Sequence, residues 1–284
     1  MTHHSRNHII INGDDFGLSS GTNQAIKNLH QQGKMSSASI LANMPWSEDA
    51  FAYASTAVTL PVGIHLNLTT GRPLLPAAQV PTLVTSDGQF YDMPAFLSRF
   101  FSGRVQRAEI RAELNAQIQA CLDSGLHPRH MDSHMHFHAV PALNDLISRL
   151  ATHYGINTVR NPNLSAFVIP PLRSRLVDGP LRKSGVNMLR STENILARRN
   201  VILNGPANRT DHMLYLRWCV EGDSDTQAAF RACIDRMENQ TLEIIAHPAI
   251  VDEELIQHSN YVDGRQQELE FLSSEQFSQL LNEL

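Results

Sequence analysis

The sequence predicts an α/β fold with a parallel sheet, namely a single (β/α) barrel of the TIM-barrel-like kind. Short runs of β-branched and aliphatic residues alternate with stretches of helical spacing, a pattern typical of parallel βαβ units. The 284 residues, of which 42% are hydrophobic, suffice for the core of one barrel. No repeat, low-complexity tract or Pro/Gly/Ser-rich linker divides the chain, so we expect one domain over residues 1–284.

The first part of the chain predicts three strands and two helices. An apolar run around Ile9–Ile11 indicates a buried strand, and Ser19 or Ser20 can cap the helix that follows it. Gly33 is a typical residue for the end of that helix. The predicted elements are, in order, strand 8–13, helix 19–33, strand 35–43, helix 47–57 and strand 60–68.

The rest of the chain continues the same alternation. Ile110, Leu114 and Ile118 repeat at helical spacing, and Gly125 provides a stop after them. Residues 161–212, which contain several Pro, Gly and Arg, do not resolve by pattern. The predicted elements are helix 105–124, a polar strand over 129–136, helix 141–153, strand 156–160, helix 225–238 and strand 242–247.

Composition and charge exclude several classes of protein. The net charge is −5 and the pI is near 6.3, with scattered basic residues, so we expect no nucleic-acid partner. The N-terminus has no apolar run long enough for a signal peptide or a membrane span. Cys121, Cys219 and Cys233 are odd in number and widely spaced, which indicates free thiols. We therefore expect a cytoplasmic protein.

Polar side chains lie in or just after five of the predicted strands. They are Asp14-Asp15, His65, His134, Arg160 and His247. The carboxyl ends of the strands of a parallel barrel line one mouth, where active sites are found, so we expect these groups to converge. The alternative is that each is a separately satisfied loop or core residue.

The segment MDSHMHFH, residues 131–138, is the densest group of potential metal ligands. In an extended strand Asp132, His134, His136 and His138 would share one face. Three histidines on one side are costly to bury unless they are hydrogen-bonded or bind a metal, so a metal site is favoured. His65 can add a second imidazole from another strand, and one carboxylate would complete a three-point site with open positions.

The adjacent acids Asp14 and Asp15 fit such a site. A metal cation relieves their repulsion, because one carboxylate can bind it while the other remains free as a base for water. The alternative is that one of them caps a helix, a role for which a single Asp suffices. His247, at a strand end before Pro248, suits a general acid. Arg160 and Glu243 are candidates for orienting partners or substrate contacts.

Five ordered motifs resemble the YdjC/ChbG family of carbohydrate deacetylases, which also includes the hopanoid-biosynthesis-associated deacetylase HpnK. They extend from the first strand to about residue 248, and ELEFLSS at 268–274 is also similar to the family. The motifs are INGDDFGLSSGTNQAI, the SSAS at 36–39, GIHLNLTTGRPL at 63–74, HPRHMDSHMHFH at 127–138 and LEIIAHP.

The resemblance implies a distorted (β/α) barrel that removes acetyl groups from N-acetylated sugars with one divalent metal ion. It implies Asp15, His65 and His134 as metal ligands, Asp14 as the catalytic base and, less directly, His247 as the acid. The family is usually recorded with magnesium, whereas two imidazoles and one carboxylate suit zinc or another transition metal better. A small acetylated sugar is the expected partner, and the family resemblance allows a homodimer.

Substrate contacts and two other functions stay open at this point. Arg160, Glu243, His136 and His138 are the candidates for binding substrate. After Arg160, the stretch NPNLSAFVIPP lacks the acidic residue expected from many relatives, and residues 161–215 match no motif. A non-catalytic regulator that binds metal or sugar, or a metal-dependent phosphoesterase, are the alternatives to a deacetylase.

Overall fold

The computed structural model of the chain describes residues 9–160, 207–220, 228, 230, 231 and 241–283. Within these ranges eight strands form one sheet, and all of its paired strands are parallel. The strands are β1 Ile9–Phe16, β2 Ser37–Ile40, β3 Val62–Leu66, β4 Met131–Ser133, β5 Thr158–Val159, β6 Ala207–Asn208, β7 His212–Tyr215 and β8 Leu242–Ala246.

The order of the strands is that of a barrel. Each strand from β1 to β6 pairs with the next one along the chain, and β8 pairs with both β1 and β7. β6 and β7 lie at the two edges of the sheet, and only residues 209–211 separate them. A link of this length spans at most about 14 Å. The chain itself therefore joins the two edges, and the sheet curls into a distorted (β/α) barrel.

Helices follow most strands and cover the outside of the sheet. Ser19 caps the first of them, because its Oγ accepts the backbone N–H of Thr22 at 3.2 Å. The α-helices are Ser20–Gln31, Ser47–Thr56, Met93–Phe101, Arg107–Asp123, Pro141–His153, Arg217–Val220, Glu253–His258, Asp263–Ser273 and Glu275–Glu283. No helix in the described part of the chain is both long and apolar enough to cross a membrane.

One hydrophobic cluster connects the strands with the surrounding helices. It contains buried residues of β1, β2, β3 and β8, together with residues of the helices from Ser20–Gln31 to Glu275–Glu283. Ile11, Ile40 and Ile64 are among its members and are at most 5% exposed. The sheet thus has a dry outer layer, while the polar side chains of the strands collect on its inner side.

Most predicted elements are confirmed with shifted ends. β1 is longer than predicted and includes both acids, whereas β2 and β3 are shorter than the predicted strands 35–43 and 60–68. Strands β6 and β7 and five of the helices were not predicted, namely Met93–Phe101, Arg217–Val220, Glu253–His258, Asp263–Ser273 and Glu275–Glu283. Of the predicted helix 225–238, the structure describes residues 228, 230 and 231, which are helical, and the others lie outside the described residues, as do residues 161–206.

The strand predicted over residues 129–136 is wrong in its second half. β4 ends at Ser133, and His134–Ala139 forms a 3-10 turn in which Met135 and His136 have positive φ. Ser133 explains the turn, because its Oγ accepts the backbone N–H of His138 at 3.0 Å and lies 2.7 Å from its Nδ1. The four side chains that an extended strand would align on one face therefore point in different directions.

Candidate metal centre and active site

The polar groups predicted to converge do meet at the carboxyl ends of the strands. Asp14 and Asp15 are near the end of β1, His65 is near the end of β3, and His134 follows β4 directly. Arg160 and His247 follow β5 and β8. Asp14, Asp15 and His65 are at most 1% exposed and His134 is 8% exposed, so the cluster lies at the bottom of the barrel mouth.

A bulge in β1 explains how two adjacent acids can both face the mouth. From Gly13 to Phe16 the strand advances three residues while its partner β2 advances two, so one residue is extra. Asp15 has a φ of 65°, a conformation that is uncommon for residues other than glycine. The bulge breaks the alternation of side chains and turns the Asp15 carboxylate to the same side as that of Asp14.

Within the described residues there are three candidate ligand groups, and Asp15, His65 and His134 form the first, with ligand atoms within 4.8 Å of one another. Nδ1 of His134 lies 2.7 Å from Oδ1 of Asp15, and Nε2 of His65 lies 3.2 Å from the same oxygen. Metal–ligand bonds of about 2.0–2.1 Å at tetrahedral angles place ligand atoms roughly 3.3 Å apart. The donor set and its spacing therefore fit a divalent metal ion.

The two other candidate groups are already neutralised by arginines. In the group Asp14, His65 and Asp132, Nη2 of Arg160 lies 2.6 Å from Asp14 Oδ1 and 2.7 Å from Asp132 Oδ2. In the group His130, Asp132 and Glu243, a guanidinium nitrogen of Arg209 lies 2.8 Å from His130 Nε2 and 2.5 Å from Glu243 Oε1. Arg265 also contacts Asp15, but at Oδ2, which leaves Oδ1 to the two imidazoles, so the donors favour the first group as the metal centre.

His65 is oriented for this role by a carboxylate behind it. Its Nδ1 lies 2.7 Å from Oδ1 of Asp132, which leaves Nε2 directed at Asp15. Carboxylates that hold the far nitrogen of a histidine in this way are common around metal ligands. Burial by itself lowers the pKa of His65, but Asp132 and Asp14 outweigh burial and raise this pKa to about 10 in the metal-free chain.

Arg160 fixes the carboxylate of Asp14 with two parallel hydrogen bonds. Nη1 donates to Oδ2 at 2.7 Å and Nη2 to Oδ1 at 2.6 Å, while Asn12 Nδ2 also donates to Oδ1 at 2.7 Å. Burial alone would raise the pKa of Asp14, yet the charges of Arg160 and His65 lower it to about 2. Asp14 is therefore a fixed, ionised carboxylate whose Oδ2 lies 3.8 Å from His65 Nε2.

The burial of Arg160 and Glu243 favours one of the two roles considered for them, orienting partner over substrate contact. Both are completely buried, and Arg160 Nε donates to Glu243 Oε1 at 3.1 Å. Neither side chain reaches the mouth in this structure, so the geometry favours orienting partners over substrate contacts. Arg209, which the sequence did not single out, extends the same buried network.

The rings of His136 and His138 pack edge-on in the turn after β4, with centres 5.7 Å apart, but the two residues differ in exposure. His138 is completely buried and bonded to Ser133, and burial lowers its pKa to about 3. This burial argues against contact between His138 and a substrate. His136 is partly exposed, and its ring packs edge-on against Tyr215 with the ring centres 5.0 Å apart. Of the two, only His136 is placed where it can touch a ligand.

His247 faces Asp14 on one side and the helix Asp263–Ser273 on the other. Its Nε2 lies 3.9 Å from Asp14 Oδ2, and its backbone N–H donates to Oε2 of Glu268 at 2.5 Å. Burial lowers the pKa of His247 to about 4, although the charges of Asp14 and Asp15 oppose this effect. The predicted position of His247 beside the acids is thus confirmed, whereas its role stays a prediction.

Comparison with known proteins identifies the family. The family model described as YdjC-like protein matches residues 8–283 of this chain. The chain belongs to this family. It is 32% identical over 269 residues to a carbohydrate deacetylase of Halalkalibacterium halodurans, with 93% of this chain and 94% of that protein covered. A carbohydrate deacetylase of Geobacillus stearothermophilus is also 32% identical, over 265 residues, with 93% and 88% covered.

A solved structure has the same fold. It is the crystal structure of an Enterococcus faecalis V583 protein to which cellobiose-phosphate cleavage is provisionally ascribed. The TM-score is 0.76 at 28% identity, and the match covers 97% of this chain and 94% of that one. The match over nearly the full length agrees with the distorted barrel found for this YdjC-like protein.

Two residues of helix Asp263–Ser273 belong to the site of this YdjC-like protein although the sequence did not single them out. Nη2 of Arg265 donates to Oδ2 of Asp15 at 2.5 Å, and Glu268 contacts His247. Both side chains are buried on the inner face of the helix together with Leu272. The signal in the sequence was the placement of charged residues four and seven positions before an apolar one, where a core-facing stripe would otherwise be apolar.

Proposed function

We propose that this chain is a hydrolase that removes the acetyl group from N-acetylated sugars with the help of a bound divalent metal ion. Its YdjC-like relatives include proteins named carbohydrate deacetylase, which supports both the reaction and the class of substrate. The observation that carries the proposal is the three-point ligand set Asp15, His65 and His134 beside the separate, ionised carboxylate of Asp14.

Asp15, His65 and His134 would hold the metal ion. A bound divalent cation supplies Lewis-acid chemistry, which polarises a carbonyl group and lowers the pKa of water. Magnesium follows from the family, while two imidazoles with one carboxylate are softer ligands that favour zinc or another transition metal. Metal analysis of the purified protein, followed by reconstitution with each ion in turn, decides between them.

Asp14 is the proposed catalytic base. It is ionised at every pH above its pKa of about 2, and Arg160 fixes the plane of its carboxylate. A carboxylate of low basicity can still accept a proton from water whose own pKa has been lowered at a metal centre. Oδ2 of Asp14 lies 3.8 Å from Nε2 of His65, the nitrogen that also faces Asp15 of the ligand set.

His247 is the proposed acid, which protonates the amine as it leaves. Its Nε2 lies 3.9 Å from Asp14 Oδ2, the oxygen to which Arg160 Nη1 donates at 2.7 Å. The base and the acid are thus neighbours, as expected when one removes a proton from water and the other delivers a proton to nitrogen. His136, at the mouth beside Tyr215, is the remaining candidate for contact with the sugar.

The test is acetate release from N-acetylglucosamine and N,N′-diacetylchitobiose, measured beside phosphate release from 4-nitrophenyl phosphate. Acetate release that disappears on chelation and returns with a divalent metal supports the proposal. Phosphate release instead would favour a phosphoesterase, and neither product from protein that binds metal would favour a regulator. The buried Arg160 and Arg209 are engaged by carboxylates, an arrangement that does not favour phosphate as the substrate group.

The single domain over residues 1–284, the cytoplasmic location and the homodimer stay predictions. The uninterrupted match of the family over residues 8–283 supports the single domain.

A further inference from the structure

We propose that Glu268 is a positioning residue that holds His247 as the proton donor to the leaving amine. This inference rests on the proposed function, because it gives a partner to the acid of that reaction. Glu268 belongs to helix Asp263–Ser273, far along the chain from the motifs that carry the metal ligands. It does not touch the reacting atoms, so it would act only through the histidine.

The two carboxylate oxygens of Glu268 lie near two different parts of His247, its backbone N–H and its ring. Glu268 is completely buried, and its Oε2 accepts the backbone N–H of His247 at 2.5 Å. Its Oε1 accepts the hydroxyl of Tyr261 at 2.7 Å and lies 3.9 Å from Nδ1 of the His247 ring. Among the described residues this Nδ1 has no hydrogen-bond partner. Glu268 is the nearest carboxylate on that side of the ring.

The two ring nitrogens of His247 therefore face different groups. Nε2 points towards Asp14 and the metal ligands, whereas Nδ1 points towards Glu268. A carboxylate opposite Nδ1 favours the tautomer with a proton on that nitrogen and stabilises the imidazolium once Nε2 also carries a proton. Catalytic hydrogen bonds are often long in the absence of substrate, so a separation of 3.9 Å is compatible with this role.

The acid role of His247 needs such a partner. Burial lowers the pKa of His247 to about 4, which leaves the isolated ring largely neutral near pH 7. Burial also raises the pKa of Glu268 to about 7, although its hydrogen bonds from His247 and Tyr261 oppose this effect. Glu268 is thus poised to be ionised or protonated near neutrality, next to a ring that requires a negative neighbour to keep its proton.

The proposed step is balanced within the residues named. As the C–N bond of the acetamide breaks, its electron pair stays on nitrogen, and the nitrogen takes the proton from Nε2 of His247. The proton on Nδ1 stays with the ring and faces Glu268 throughout. The proton that Asp14 removed from water then passes to Nε2 of His247, which lies 3.9 Å from Asp14 Oδ2, so both residues return to their starting protonation states.

A purely structural role for Glu268 makes a different prediction. The carboxylate could serve only to fasten the backbone of His247 to the helix, and a glutamine would preserve that bond because its carbonyl oxygen accepts the same N–H. Glu268→Gln therefore keeps the shape and removes the charge. Glu270→Gln is the matched control, since Glu270 is exposed on the same helix.

The test compares two substrates of the metal-loaded full-length enzyme. N,N′-diacetylchitobiose releases an amine that must be protonated, whereas 4-nitrophenyl acetate releases a phenolate that departs without a proton. We expect Glu268→Gln to lower kcat/KM for the amide by about 10–100-fold and for the ester by less than about threefold, since only the amide needs the acid. Metal content and the activity of Glu270→Gln should not change.

A double-mutant cycle provides the second measurement. Glu268→Gln introduced into His247→Asn should lower the remaining amide hydrolysis by less than about threefold, because residues that act through one another are not additive. If Glu268→Gln does not fold, Glu268→Asp takes its place, and its amide-to-ester ratio should fall by at least about tenfold because the carboxylate is drawn away from Nδ1.

Three results would overturn the inference. They are an equal loss on both substrates, an unchanged rate on the amide, and full additivity in the cycle. If the wild-type protein releases no acetate from any N-acetylated sugar, the proposed function fails as well. If the wild type is active but the Glu268 variants have the same amide-to-ester ratio of kcat/KM as the wild type, only the role of Glu268 fails.

Discussion

Replacement of Arg160 with glutamine should destabilise the barrel and alter the base at the same time. Arg160 is completely buried and donates to Asp14 at 2.7 and 2.6 Å, while its Nη2 lies 2.7 Å from Asp132 and 3.0 Å from Glu243. Removal of one partner from a buried ion pair costs about 3–5 kcal/mol, because the remaining charges stay buried. Arg209 still pairs with Glu243 after the substitution, so we expect the cost of one broken ion pair and not the sum for all three carboxylates.

The expected loss can be measured by thermal unfolding. For a domain of this size each kcal/mol lowers Tm by about 2–4 °C, so Arg160→Gln should lower Tm by roughly 6–20 °C. Arg231→Gln is the matched control, because Arg231 pairs with Glu283 at the surface and both side chains are about half exposed. An exposed pair contributes about 0–1 kcal/mol. A similar small loss for both variants would refute the buried-charge argument.

The same variant should also change the dependence of activity on pH. The charge of Arg160 is a main reason why the pKa of Asp14 is about 2 despite burial. Without this charge the pKa of Asp14 rises, and because a base must be ionised, the acid limb of kcat/KM should move to higher pH. An opposite charge in contact lowers a carboxyl pKa by about 1–3 units, so a shift of at least about one unit is expected. An unmoved acid limb would contradict the role of Asp14 as base.

The other predictions distinguish the metal ligands, the catalytic base and the packing of the barrel by their different effects on metal content, kcat and Tm. Asp14→Asn should keep the metal and lose about 10²–10⁴-fold in kcat, whereas Asp15→Asn should lower metal content itself, as measured by elemental analysis beside kcat; the reverse pattern would exchange their roles. Because the pKa of His65 is about 10 in the metal-free chain, metal binding at pH 7 should release about one proton per ion, detectable in weakly buffered solution, and His65→Gln should abolish this release. Gly63→Ala should cost about 1–3 kcal/mol, since the added Cβ would lie 2.3 Å from the buried His130 ring, and an unchanged Tm would disprove this packing.

The sequence predicted the barrel and the meeting of its polar groups because both depend on local patterns. Alternation of strands and helices fixes the topology, and a parallel barrel brings the carboxyl ends of its strands to one mouth whatever their loops contain. The extended strand predicted through His136 failed for a local reason as well. The hydroxyl of Ser133 competes for backbone hydrogen bonds and turns the chain, an effect that periodicity does not detect.

The partners of the predicted residues were less accessible to sequence analysis. Arg160 was recognised as a strand-end residue, but its burial under three carboxylates depends on packing across the whole barrel. Arg209 and Arg265 lie outside the motifs, and Glu268 begins the family-like ELEFLSS without being marked by it as a site residue; all three reach the site through contacts 21 to 250 residues away in the chain. Tertiary structure decides which distant side chains orient the catalytic groups. In the sequence, such a side chain can be recognised only as a charged residue at a position where a buried helix face would be apolar.

The balance of buried charge shows why the site suits a cation. Among the described residues, four carboxylates pair with three guanidinium groups at the inner end of the mouth, so these ion pairs sum to one negative charge even before Glu268 is counted. The groups are Asp14, Asp15, Asp132 and Glu243 with Arg160, Arg209 and Arg265. An uncompensated charge inside a protein is costly, and in the metal-free chain the proton held by His65 offsets it. A divalent ion at Asp15, His65 and His134 must displace that proton before it can use Nε2. Arg265 contacts Asp15 through Oδ2, whereas arginines contact both carboxylates of each of the other two groups, so Oδ1 of Asp15 with the two imidazoles is the set at which a proton can be exchanged for a metal.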